Sequence, residues 1–142
     1  MDLSNSDKLN LSIAYLNILQ AIIGRMSNYV LAIQTASLTT LTALLAFSAT
    51  EGVCFKWWIF IIPCIVFASF HFYFLRLERA FRKLYNDATS NNDISLSNLK
   101  IDSDKLDQAT PKAIEVISSP SLYVFYPFLL ILILISYKFL GS

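Results

Sequence analysis

The sequence predicts an all-α integral membrane protein: three transmembrane helices, an N-terminal amphipathic helix and a cytoplasmic extension of the second span. Three observations carry this. Of the 142 residues, 56 % are hydrophobic and 15 % charged, against ~45–50 % and ~25 % in a typical soluble domain. Mean hydropathy is correspondingly high, +0.56. Three windows also reach the ~20 largely apolar residues that a spanning helix needs, because unpaired backbone groups in hydrocarbon are costly.

The first window, 29–49, holds no charge. The second, 57–75, lies between Lys56 and Arg76 and opens on the pair Trp57-Trp58. The third, 122–140, contains the run 128–135 of Phe, Leu and Ile and ends at Tyr137-Lys138. Paired Trp and a terminal Tyr-Lys are amphipathic anchors suited to the lipid–water boundary. Pro63 removes a backbone donor inside the second window and predicts a kink there. The first 28 residues do not read as a cleaved signal peptide. Asp2 and Asp7 precede Lys8, and polar residues interrupt the apolar ones.

Basic residues set the expected orientation. Lys8 and Arg25 precede span one, and seven lie between spans two and three: Arg76, Arg79, Arg82, Lys83, Lys100, Lys105 and Lys112. Lys56 and Lys138 fall on the other side. The chain is therefore expected N-terminus inside, with 50–56 as an external loop and 76–121 as a cytoplasmic extension and polar loop.

Residues 1–28 read as a cytoplasmic helix entering span one, with Ser4 and Ser6 as candidate caps. Leu9, Leu16, Ile23 and Val30 recur every seven residues, and Leu19, Met26 and Ile33 follow the last three by three, which predicts an apolar seam. After span two, Leu77, Phe81 and Leu84 form an apolar stripe beside a basic one of Arg76, Arg79 and Lys83. Glu78 stands four residues before Arg82 and can pair with it. Residues 86–119 carry six acidic and three lysine side chains. Ser103 or Asp104 can cap a short helix there, and Pro111 can begin another.

Two features inside the spans stand out. Ala32, Thr35, Ala36, Thr39, Thr42, Ala43 and Ala46 place small and hydroxyl residues along span one. Such a face lets helices approach closely, so it packs on spans two and three or meets copies of itself and lines a polar path. Gln34 and His71 each lie five residues inside the cytoplasmic boundary. Polar groups in hydrocarbon need partners, so this pair is expected to pin two helices or to form a proton-sensitive gate.

The composition excludes several classes. A net charge of +1 gives no field for nucleic acid. Two cysteines and one histidine make neither a disulfide scaffold nor a structural zinc site, and Cys54 and Cys64 are placed too differently to bridge. There is no phosphate loop and no nucleophile with a positioned base, so neither an enzyme nor a cofactor is expected.

The juxtamembrane residues resemble a family of small multi-pass bacterial membrane proteins. That family carries Leu-x-x-Glu-Arg-x-Phe-Arg-x-Leu-Tyr after span two, complete here from Leu75 through Glu78, Arg79, Phe81, Arg82 and Leu84 to Tyr85. Its Arg-Met-x-x-Asn before span one is half present: Arg25 and Met26 match, and Tyr29 replaces the Asn. Gln34 and His71 stand where the family has a Lys and an Asp, so an ion pair becomes a neutral one. Such proteins occur beside TIR-like and other anti-phage proteins. The resemblance implies a membrane effector that oligomerises and permeabilises the bilayer when a cytoplasmic TIR-like or other sensor signals. An anchor recruiting a cytoplasmic partner through 76–85, and a bacteriocin-immunity protein, are the alternatives.

Overall fold

The computed structural model describes residues 4–50, 58–90 and 102–140. Lys56, Trp57, Cys54 and the rest of the expected external loop beyond Thr50 lie outside the described residues, as does 91–101. The described elements are all helical: α1 (Asn5–Ser48), α2 (Trp58–Ser90), α3 (Ser103–Ala109), α4 (Ala113–Ile117), α5 (Pro120–Tyr123) and α6 (Phe125–Leu140).

At ~1.5 Å per residue, α1 is ~66 Å long and α2 ~50 Å, both well beyond a ~30 Å hydrocarbon core. Each is long and apolar enough to cross a membrane. A core helix of a soluble protein passes the same test but is mostly buried. Here only 17 % and 22 % of the most apolar stretches of α1 and α2 are buried inside the molecule. Leu31, Leu38, Phe47, Ile62, Ile65 and Phe70 all point outward. The apolar surface suits lipid rather than water.

The third apolar segment departs from a single helix over 122–140. Its main helix, α6, has 16 residues, ~24 Å at helical rise, and the four residues of α5 precede it. Pro127 contributes to the break: without an N–H it cannot bond the Tyr123 carbonyl one turn back. Helical bonds flank the gap, from Val124 N to Pro120 O (3.0 Å) and from Phe128 N to Val124 O (3.2 Å). Pro63 does not interrupt its helix: α2 is continuous through it from Trp58 to Ser90.

Helices α1 and α2 pack antiparallel along three clusters. At one end, Leu41 meets Phe60 and Cys64, with Leu129 and Ile133 of α6. In the middle, Val30 and Leu75 enclose Val116 and Leu122. At the far end, Tyr15 and Leu19 pack on Ala80, Phe81, Leu84 and Ala109, flanked by Leu77 and Tyr85. The expected stripe of Leu77, Phe81 and Leu84 thus faces inward. The heptad seam needs correction at its start, because Leu9 is 54 % exposed and the buried line begins at Tyr15. The antiparallel register explains it: Leu19 already meets Leu84, so Leu9 lies beyond the end of α2 at Ser90.

Ser4 takes the N-cap position of α1, its hydroxyl 2.9 Å from that of Ser6. The cap of α3 is Asp102, not Ser103 or Asp104: its carboxylate accepts from Ser103 N at 2.8 Å. Helix α4 starts at Ala113, two residues after Pro111.

Burial pushes the Tyr15 phenol above its ordinary pKa of 10. Above pH 10 the unfolded chain releases this proton while the folded chain keeps it, so stability falls as pH rises. Thermal melts between pH 9 and 11.5 are expected to show this loss, and Tyr15→Phe should reduce its slope. An unchanged slope would remove the phenol as its source.

Candidate functional site

Gln34, on the inner side of α1, donates from Nε2 to Ser121 Oγ at 3.1 Å. The same oxygen lies 3.0 Å from His71 Nε2 of α2. The expected Gln34–His71 contact is therefore made through Ser121, at the start of the third apolar segment, and three elements meet in one relay. His71 is fully buried. The direction of the Ser121–His71 bond follows the imidazole tautomer: Ser121 donates when the ring proton is on Nδ1 and accepts when it is on Nε2. His71 Nδ1 and the Tyr126 hydroxyl are buried with no hydrogen-bond partner among the described residues. The two rings stand 5.7 Å apart at 55°. Ser37, one turn after Gln34 and fully buried, donates to the Gln34 carbonyl at 2.8 Å.

Ala32, Thr35, Ala36, Thr39, Thr42, Ala43 and Ala46 are all exposed. Among the described residues, nothing packs on the small face of α1. Ser37, Leu41 and Val30 take that role instead. Thr35, Thr39 and Thr42 each donate to the carbonyl four residues back, at 3.0, 2.9 and 2.7 Å. With their donors satisfied within the helix, these threonines present methyl groups and acceptor lone pairs outward. Asn28, Leu31, Ala32, Thr35, Ala36, Thr39 and Thr40 line a shallow groove of about 710 Å³ there.

Below this level the basic stripe of α2 turns onto the chain itself. Arg76 Nε donates to Pro111 O (3.2 Å), Arg79 to Glu115 O (2.9 Å) and Lys83 to Gln108 O (3.3 Å). These cations meet backbone carbonyls rather than the carboxylates of 102–115. Arg82 pairs with the buried Glu78 at 2.7 Å, as the i, i+4 spacing predicts. Phe81 and Leu84 are buried, Tyr85 and Met26 are half-buried, and Arg25 is exposed.

Sequence reasoning missed Ser121, Tyr126 and Ser37 as members of the polar site. Ser121 sits among other serines, and only its depth beside His71 could have singled it out. Among the described residues, no three His, Cys, Asp or Glu side chains group as metal ligands. Comparison with models of protein families, with curated proteins and with solved structures finds no match in any of the three.

Proposed function

We propose that this protein is an inner-membrane effector of a bacterial anti-phage module that acts by assembling with copies of itself. In this reading α1, α2 and the α5–α6 unit all cross the bilayer, with the N-terminus inside. A cytoplasmic partner, TIR-like or another sensor, triggers depolarisation of the membrane. The observation that carries the reading is the uncovered Ala/Thr face of α1. Small residues allow close helix approach, and the lone pairs of Thr35, Thr39 and Thr42 offer acceptors to water or cations between copies. Helices packed within one copy leave no aqueous path, so conduction needs several. The anchor alternative is less well supported, because Arg76, Arg79 and Lys83 are engaged by the chain's own carbonyls.

Mass measurement in native-like lipid, combined with a membrane-potential dye in cells, tests this. Wild type is expected well above monomer mass. Thr39→Trp should lower that mass and abolish depolarisation, whereas Ile131→Trp, at a position 54 % exposed on α6, should leave both unchanged. A strict monomer beside its activating partner would overturn the reading in favour of the anchor.

A further inference from the structure

Three short helices in series, α3, α4 and α5, dock on the α1–α2 pair by one repeated device. Each contributes a buried apolar side chain, Ala109, Val116 or Leu122. Each also makes a hydrogen bond to α2 from the residue just before it. Gln108 O accepts from Lys83, Glu115 O accepts from Arg79, and Ser121 Oγ meets His71 Nε2. Arg76 adds the Pro111 carbonyl between the first two. The anchors climb from 108 to 121 along this segment while their partners lie on α2 between Lys83 and His71, the Arg76 and Arg79 contacts crossing over one another. One continuous run therefore connects the far end of α2 to the buried relay.

Lengths of seven, five and four residues fall well below the ~12–15 that an isolated helix needs. Helix formation and docking in 103–123 are thus one event, and losing one anchor weakens the others. The far-end anchors are also exchangeable. Lys83 and Arg79 hold neutral carbonyls, whereas a competitor's carboxylate or phosphate adds opposite charge and further acceptor oxygens.

We propose that 103–123 is a releasable strap: detaching its cytoplasmic end withdraws Ser121 from Gln34 and His71 and frees the spanning helices to reassemble. As the trigger of the effector it rests on the function proposed above, whereas the mechanical coupling does not.

Hydrogen exchange of the full chain in lipid nanodiscs tests the coupling, because local opening sets amide exchange rates. Ser121→Ala is expected to speed exchange of the amides in 103–117 at least tenfold. Ser121→Thr, which keeps the hydroxyl, should restore most of the protection, and Ile131→Ala should leave wild-type rates. Unchanged exchange in Ser121→Ala, or an equal effect of Ile131→Ala, would overturn the strap. A second arm follows membrane potential in cells carrying Arg76→Gln, Arg79→Gln and Lys83→Gln together, expected to depolarise without a partner. Coupled exchange without that depolarisation would overturn the effector reading and leave the strap standing.

Discussion

Leu19→Ala is expected to cost about 3–4 kcal/mol of stability, and Leu41→Ala about 1–2 kcal/mol, although the two leucines are matched in kind, helix and burial. Leu19 is 0 % and Leu41 3 % exposed, both on α1. Leu19 packs on Ala80, Phe81 and Leu84, in the part of α1 expected below the membrane. Truncation there loses transfer free energy from water and leaves a cavity. Leu41 packs on Phe60, Cys64, Leu129 and Ile133, where, with α1 spanning the bilayer as proposed, the unfolded alternative is lipid. Hydrocarbon chains solvate a leucine as well as the protein does, so chiefly the packing loss remains. Unfolding titrations in mixed micelles, with both variants compared to wild type, measure the difference. Equal costs would show that both ends of α1 share one solvent and would remove the membrane from the reading of this fold.

That asymmetry was legible in part from the residues alone. The windows of α1 and α2 and the inward stripe of Phe81 and Leu84 follow from spacing, because burial of a helix face repeats with the helical period. Leu9 did not follow, since periodicity shows that a face is apolar but not how far its partner extends. The partners of Arg76, Arg79 and Lys83 were equally hidden. They are backbone carbonyls, and a backbone carries no signature of which carbonyl will be presented. Gln34 and His71 were legible because polar residues are rare in apolar windows. Ser121 was not, for it lies at the end of a polar segment where serine is unremarked. The break before α6 was written in Pro127, but its consequence depends on Tyr123 standing one turn earlier in a helix.

The relay gives the second large effect. Ser121→Ala is expected to cost about 2–4 kcal/mol, more than deleting a single hydrogen bond, because the buried His71 and the half-buried Gln34 lose their partner at once. Gln34 Nε2 loses its acceptor and His71 Nε2 its partner, and the fully buried imidazole cannot turn to water. His71→Leu strands only the Ser121 hydroxyl and removes the unpartnered Nδ1 with the ring, so about 1–2 kcal/mol is expected. Replacing Gln34 and His71 by Leu together with Ser121→Ala strands none of the three, and most of the loss should be recovered. The triple variant should thus be more stable than Ser121→Ala alone. Unfolding midpoints of the three variants in one micelle composition decide the order. A triple variant at least as unstable as Ser121→Ala would mean that packing volume, rather than the hydrogen-bonded relay, holds the third segment to α1 and α2. It would also deprive the strap of its membrane anchor, because Ser121 would then bind α2 through shape alone.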